Sequence, residues 1–326
     1  MIKEIDRGRS GKSETFLGVE TRKMQIAPLD DDEQFTTFLK DSATQEIVHA
    51  PRSIIEFPLP QKTKWQKDLI PISQKIADIA IQVRKYRVLK SLESVNTQDD
   101  MLKTFIKETA QGENFSSDLE KLNVGKTWKL LKFKLEKENA EDHGLLDIEW
   151  IKDLHLSLMV GVIDPYLNTG PGKFSFAPRD TVYKGNFHEY PHFQNDKEWF
   201  DVFQPKLDQY NTLYCFLKKL NMTEKNIESL YKLVAWIFLQ IIKLHPFSDG
   251  NGRCCRILAA YILYLINPFP CPIYNNIYDL TENNELYIDS IIKAQTTGNL
   301  QDFTCILIES NWFAWQQFHK FIMRNS

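Results

Sequence analysis

The sequence predicts an almost entirely α-helical protein that carries one short β-hairpin. From about residue 65 onward, apolar residues recur at steps of three and four, which is the helical period. This pattern is interrupted at 164–192, where glycine and proline cluster with aromatic and β-branched residues. Such a composition favours a loop followed by a hairpin. Hydrophobic residues make up 43% of the 326 residues, which is enough for the core of a globular protein.

The single helices are predicted from this period and from the residues that cap them. Thr97, with Asp100 three residues later, resembles a helix start, and Thr223 precedes the strongest apolar pattern in the chain. The predicted helical segments are 74–92, 97–111, 116–138, 147–161, one that starts at about 197, 223–244, 252–267, 281–299 and 300–323.

Composition excludes several classes of protein. The net charge is −3 and the longest run of one sign is "DDDE" at 30–33, so the basic stripe of a nucleic-acid binder is absent from the sequence. The five cysteines are odd in number and form no C-x-x-C, which favours a reducing, cytoplasmic compartment. The polar first residues resemble no signal peptide. The apolar stretches 233–244 and 257–266 are shorter than the ~20 residues that span a bilayer. We therefore expect a cytoplasmic protein with neither nucleic acid nor membrane as a partner.

The most informative stretch is "HPFSDGNGR" at 245–253, which lies between two predicted helices. Backbone N–H groups at the start of a helix bind anions, and Gly250 and Gly252 let a phosphate approach them closely. Arg253 and Arg256 are predicted to lie in the first turn of the second helix, three residues apart, so they share a face. Each guanidinium can donate two hydrogen bonds to phosphate oxygens. The pattern predicts a polyphosphate site.

Two further side chains complete this predicted site. Asp249 can hold Mg²⁺ (or Mn²⁺), because such ions accept one or two carboxylates together with phosphate oxygens. His245 lies at the rim, where an imidazole can take a proton from an incoming hydroxyl. A short glycine-rich turn alone is weak support for function, whereas nine ordered positions between two helices are far more specific.

"HPFSDGNGRCCR" (245–256) resembles the signature of the Fic family, H-x-F-x-[DE]-G-N-G-R-x-x-R, at every specified position. Members of this family mostly transfer AMP from ATP to a hydroxyl side chain of a target protein. The resemblance implies that His245 is the base, that Phe247 is buried, and that Asp249 holds the metal. It also implies an anion hole made by Gly250, Asn251 and Gly252, with Arg253 near the β-phosphate and Arg256 at the γ-phosphate.

The similarity to this family extends over roughly 149–308. The predicted hairpin resembles the flap that docks the target's backbone beside the base. Its candidate docking residues are Val182, Tyr183, Lys184 and Gly185. Ser175 departs from the family pattern, which often has an arginine there. The segment 286–303 resembles the lining of the adenine pocket, which implies that Tyr287 stacks on the base and that Gln295 bonds to it.

"TAQGEN" (109–114) resembles the family's inhibitory motif, [ST]-x-x-x-E-[GN], through Thr109, Glu113 and Asn114. In the resemblance, Glu113 reaches Arg256 and so displaces the γ-phosphate. The implied domains are a partly helical region at 1–95, a helical segment with the inhibitory motif at 96–145, a catalytic core at 146–312 and the end of the last helix at 313–326.

The resemblance therefore implies a protein adenylyltransferase that is inhibited by its own Glu113. Its partners would be ATP and a protein with an exposed hydroxyl, with self-modification expected and a homodimer left open. Two alternatives remain at this point. The same site could remove AMP from a modified protein, with Glu113 orienting a water, or the domain could be a nucleotide-gated binding module without transferase activity.

Overall fold

The chain divides into two compact units, Met1–His49 and Ala50–Ser326, in the computed structural model. The residues that the structure describes are 25–26, 39–40, 47–48, 52–89, 95–111, 117–137, 144–162, 169–273 and 280–325. In the first unit these form three two-residue strands, which pair antiparallel in the order β1-β2-β3: β1 (Gln25–Ile26), β2 (Leu39–Lys40) and β3 (Ile47–Val48). The sequence analysis predicted none of them, because two residues are too few to show an apolar alternation.

The second unit is helical, and the predicted fold class, all-α with one short hairpin, is confirmed. After a 3-10 turn at Arg52–Ile54 its helices are α1 (Ile72–Leu89), α2 (Val95–Gln111), α3 (Asp118–Lys137), α4 (Ile148–Met159), α5 (Asp196–Lys219), α6 (Glu224–Leu244), α7 (Asn251–Leu263), α8 (Leu280–Thr297) and α9 (Gln301–Asn325). The hairpin, β4 (Asp180–Tyr183) and β5 (Asn186–Glu189), lies between α4 and α5. The four domain boundaries given above stay a prediction.

Helix α6 forms the centre of the second unit. It packs against α1, α5, α7, α8 and α9, and its residues from Leu230 to Leu239 are all buried. A helix that is apolar all round is stable only inside a core. The core therefore holds α6 rigidly up to its last residue, Leu244, which directly precedes the motif.

Capping residues fix where the helices around the motif begin. The Thr223 side chain accepts a hydrogen bond from the Asn226 N–H, as the sequence predicted. Asp147 caps α4 in the same way through the Trp150 N–H. Helix α2 begins at Val95, two residues before Thr97, which is an ordinary difference for a helix end.

A buried ion cluster joins α1 to α9. Lys75 is fully buried and its Nζ lies 2.9 Å from Glu309 Oε1 and 2.9 Å from Asp68 Oδ2. Trp65 Nε1 donates to Glu309 Oε2 at 2.8 Å. Each buried charge therefore has a partner, as stability requires. Among the described residues, no helix is both long enough and apolar enough to cross a membrane.

Candidate active site

His245 is the C-cap of α6 and adopts a left-handed backbone, with φ 49° and ψ 58°. Its ring stacks on Tyr190, with centroids 3.8 Å apart and planes 15° from parallel. Burial and then the Arg179 cation lower the pKa of His245 to about 4, and the backbone of Ile242 and the Asp249 carboxylate oppose them weakly. The imidazole is therefore neutral at pH 7, which is the state that a general base requires. Its Nδ1 is buried without a hydrogen-bond partner among the described residues.

The loop after His245 is held by its own side chains. Asn251 Oδ1 accepts from the Phe247 N–H at 3.0 Å, and Asn251 Nδ2 donates to the Phe247 carbonyl at 2.8 Å. Phe247 is fully buried. The side chain of Asn251 thus shapes the loop, which leaves only its backbone for the predicted anion hole.

His155 on α4 supports this loop from below, and the sequence analysis did not select it. Its ring stacks on Phe247 with centroids 3.7 Å apart and planes 2° from parallel. The Gly172 N–H donates to Nδ1 at 2.8 Å, so the proton lies on Nε2, which donates to the Asp249 carbonyl at 2.9 Å. Burial lowers the pKa of His155 to about 4, which keeps this arrangement neutral.

Gly250 is required where α7 begins. Its φ is 75°, and a Cβ added there would lie 2.7 Å from Met159 Sδ and 3.3 Å from His155 Nε2. A side chain would therefore be strained in the backbone and would clash with α4. The glycine lets α4 and the N-terminus of α7 meet closely, which places the free N–H groups of α7 beside the loop.

The two arginines lie on α7, Arg253 in its first turn and Arg256 in its second. The sequence analysis placed both in the first turn, but the helix already begins at Asn251. Both side chains are buried. Arg253 contacts Glu120 through Nη1 and Asp249 Oδ2 through Nη2, the latter at 2.8 Å. Arg256 Nη2 donates to the Thr109 carbonyl at 3.0 Å.

Glu120 belongs to α3, and the sequence analysis did not predict its contact with Arg253. Glu120 Oε2 accepts from the Ser117 N–H at 2.5 Å, while the Glu120 N–H donates to Ser117 Oγ at 3.2 Å. This reciprocal pair is a capping box. The pattern Ser-x-x-Glu is visible in the sequence, but its second oxygen reaches an arginine 133 residues away. Glu113 and Asn114 lie outside the described residues.

The flap hairpin stands beside His245. Its strands run from Asp180 to Tyr183 and from Asn186 to Glu189, and Lys184 and Gly185 make the turn with positive φ values of 48° and 77°. The Lys184 ammonium pairs with Asp289 on α8 at 2.9 Å. Val182 and Phe187 face each other across the strands and are both exposed.

Arg179 anchors the base of the flap and was missed by the sequence analysis. Its Nη1 donates to the Ser175 carbonyl at 2.8 Å, its Nη2 donates to the Pro191 carbonyl, and its guanidinium lies over the Trp199 ring. Ser175, which departs from the family pattern, is fully buried. The Arg179 guanidinium thus contacts position 175, where the family often has an arginine, although Arg179 lies four residues further along the chain.

The predicted adenine residues have different surroundings. Tyr287 is buried and contacts the rings of Phe238 and Phe303. Gln295 has a buried Nε2 without a hydrogen-bond partner among the described residues. A buried donor of this kind is one that a ligand can satisfy. The roles of both residues toward adenine stay predictions.

Residues 145–263 match the model of the Fic/DOC family. This range reaches from just before α4 to the end of α7, so it holds His155, the flap and the whole motif loop. The chain therefore contains a Fic domain at 145–263. Thr109 and Glu120, which contact the two arginines, lie outside the matched range.

Two curated proteins and a solved structure are similar to parts of this chain. A Fido domain-containing protein of Dictyostelium discoideum is 35% identical over 82 residues, which are 24% of this chain and 52% of that protein. The ribonucleoside-diphosphate reductase small chain of Ostreid herpesvirus 1 is 30% identical over 200 residues, which are 61% of this chain and 31% of that protein. The chain thus spans about a third to a half of these curated relatives. A Fic domain-containing signaling protein from Bacteroides thetaiotaomicron has the same fold, with a TM-score of 0.55 at 17% identity over 76% of this chain and 97% of that one.

Proposed function

We propose that this protein transfers AMP from ATP to a hydroxyl group on a protein side chain, with His245 as the general base. The observation that carries the proposal is the neutral His245, held at the end of α6 directly before the N-terminus of α7. A base and an anion-binding helix start thereby lie within the nine residues 245–253. The reductase name of the herpesvirus relative is not carried over, because the chain covers only 31% of that protein.

In the proposed step, the hydroxyl oxygen of the target forms a bond to the α-phosphorus of ATP. The bond from this phosphorus to the oxygen that bridges to the β-phosphate breaks, and pyrophosphate leaves. The hydroxyl proton passes to His245, and because Nδ1 is buried, Nε2 is the atom that accepts it. The products are an AMP-protein and pyrophosphate.

A divalent cation fits beside the phosphates in this proposal. The Asp249 carboxylate is 35% exposed, although one of its oxygens accepts from Arg253. Mg²⁺ needs only one or two carboxylates when phosphate oxygens complete its shell. The cation would supply charge neutralisation for the leaving pyrophosphate, while Asp249 would hold it in place.

The flap supports the protein-directed part of the proposal. Its tip is tied to α8 through Lys184 and Asp289, and its base is tied to the motif loop by the Ser175 N–H, which donates to the Pro246 carbonyl at 2.9 Å. A hairpin fixed at both ends can present a strand edge to an extended target segment. Val182 and Phe187 would then contact the target's side chains.

Inhibition by Glu113 is part of the proposal. It is supported by the contacts of Thr109 and Glu120, which lie on either side of Glu113 in the sequence. Thr109 contacts Arg256 and Glu120 contacts Arg253, so the chain before the Fic domain already engages both arginines. Glu113 lies between these contacts in the sequence. ATP phosphates would have to compete for the same guanidinium groups.

Incubation with α-labelled ATP and Mg²⁺ tests the proposal. We expect Glu113→Gly to label itself and added proteins more strongly than the wild type, and Glu113→Gln to be intermediate because it keeps the shape but loses the charge. Adding His245→Ala to Glu113→Gly should reduce labelling by ~10²–10⁴-fold, the contribution of general-base catalysis. Binding of ATP by the double variant should remain.

Each contrary result has a separate meaning. Undiminished labelling by the double variant would remove His245 from its role. Equal labelling by wild type and Glu113→Gly would remove the inhibitory role. A Glu113→Gly protein that gains labelling, but no longer strips AMP from a previously modified target, would show that the site also runs the reverse reaction.

A further inference from the structure

Helix α3 is apolar on two opposite sides. One side faces the core through Val124, Trp128, Leu131 and Leu135, which are all buried. The opposite side carries four more apolar side chains that are 39–58% exposed: Leu119, Leu122, Leu130 and Phe133. At 3.6 residues per turn, these four fall within about 80° of the helix circumference. A helix with two apolar faces is expected to be covered on both.

The exposed stripe borders a groove between α2 and α3. The groove has a volume of about 350 Å³, and its apolar lining is Leu102, Ile106, Leu122 and Gly125. Gly125 brings the helices close together, since a Cβ there would lie 2.9 Å from Ile106 Cδ1. A concavity beside a row of leucines can accept a side chain that projects from a partner helix.

The charges around the stripe are mostly positive. Helix α3 carries six lysines and three acidic residues. Of these acids, Asp118 already pairs with Lys121 at 3.4 Å and Glu120 contacts Arg253. Lys126 lies within the stripe and Lys129 lies at its edge, both exposed. The groove rim adds Asp99 and Lys103, and Lys103 pairs with Asp100 at 3.1 Å, so Lys126 and Lys129 supply its positive charge.

We propose that the stripe and its groove are a docking site for an acidic amphipathic helix of a partner protein. Apolar side chains of that helix would cover Leu119, Leu122, Leu130 and Phe133, and its carboxylates would pair with the lysines. A second copy of this chain fits poorly, because two α3 helices would bring lysines against lysines. The concave groove also distinguishes the site from a surface for a flat bilayer.

The docking site lies beside the two helices that contact the motif arginines. The N-terminal capping box of α3 holds Arg253, and α2 ends with the Thr109 contact to Arg256. A helix seated between α2 and α3 would therefore touch both elements that engage the motif arginines. The docking proposal itself stands without the proposed AMP transfer.

The test uses the full chain and a fluorescent synthetic helix of about five turns, with leucines along one face and glutamates elsewhere. A second peptide has the same leucines but lysines in place of the glutamates. We expect the acidic peptide to bind at least about tenfold more tightly than the basic one, a difference of about 1.4 kcal/mol. Its binding should weaken as salt is raised.

Two variants and one control locate the binding. Leu122→Asn with Phe133→Asn, and separately Lys126→Glu with Lys129→Glu, should each weaken binding of the acidic peptide about tenfold. Leu69→Asn, at another exposed leucine (87% exposed), should not change it. Circular dichroism and the melting temperature should be unchanged in all of them, since every altered side chain is exposed.

Several outcomes would overturn the proposal. They are equal affinity for both peptides, no binding of either, or binding that the stripe variants leave intact. Preferential binding to vesicles rich in anionic lipid, lost in the lysine variant, would identify a membrane surface instead. A wild-type dimer in sedimentation that Leu122→Asn with Phe133→Asn dissociates would identify a second copy as the occupant.

Discussion

The two sides of the motif are held in different ways. His245 and its loop are fixed by neutral contacts inside the Fic domain, through the stack of His155 on Phe247 and the amide of Asn251. The arginines on α7 are engaged from outside it as well, by the Thr109 carbonyl and the Glu120 carboxylate, while Asp249 contacts Arg253 from inside the domain. His245 is thus positioned by the domain itself, whereas Arg253 and Arg256 also contact the preceding chain. We therefore expect the contacts of the arginines to be altered more easily than those of the His245 loop.

The largest effect on the free energy of unfolding is expected when the neutral contacts that hold the His245 loop are broken. His155→Phe keeps an aromatic ring against Phe247 but leaves the Asp249 carbonyl and the Gly172 N–H without their buried partner. Each such loss costs roughly 1–3 kcal/mol, so we expect the free energy of unfolding to fall by about 3 kcal/mol. Denaturant unfolding measures this change. Addition of ATP-Mg²⁺ should not restore the loss, and full restoration would contradict the separation of the two sides.

On the charged side, Glu120→Gln should reduce the free energy of unfolding by about 2 kcal/mol, the contribution of a hydrogen bond to a charged group. Glutamine can still complete the capping box, so the loss isolates the contact with Arg253. Phosphate can replace the missing carboxylate, and ATP-Mg²⁺ should therefore raise the melting temperature more than it does in wild type. A nucleotide shift equal to that of wild type would refute the competition for Arg253.

Ser117→Ala provides the matched control for Glu120. It removes one half of the capping box and leaves the carboxylate that contacts Arg253. We expect a loss of about 1 kcal/mol in the free energy of unfolding. The melting shift on addition of ATP-Mg²⁺ should remain that of wild type. An enlarged shift would mean that helix fraying, and not the loss of charge, releases the arginine.

The smallest effect on catalysis is expected from pH. Because the pKa of His245 is lowered to about 4, its base form is dominant from pH 5 upward. Between pH 8 and pH 5, kcat/KM of Glu113→Gly should show no inflection at ~6.5, the ordinary pKa of histidine. Stability behaves differently, because unfolded histidines bind protons that folded His155 and His245 exclude. The free energy of unfolding should decrease as pH falls from ~6.5 toward 4.

The sequence was sufficient for the fold class, for the cap at Thr223 and for the motif loop, because each depends on neighbouring residues. Contacts between distant residues were not predicted. Glu120 reaches Arg253 across 133 residues, and His155 reaches Asp249 across 94. The helical period shows that His155 lies on a buried face, but it cannot show which backbone carbonyl its ring will contact. Arg179 was hidden in the same way, because the flap must fold before its guanidinium meets Ser175.

The ion cluster of Lys75 has a consequence for the order of events during synthesis on the ribosome. Its partner Glu309 follows 234 residues later, and at ~5–20 residues per second this interval lasts roughly 10–50 s. Throughout that time α1 lacks α9, and Lys75 has only Asp68 as a carboxylate partner, so the part of its apolar face that packs against α9 is uncovered. We expect α1 to join the domain last, although it is made first, and a nascent chain halted before Glu309 to be cut readily by protease near α1. The N-terminal helix of this unit is therefore expected to pack late in folding.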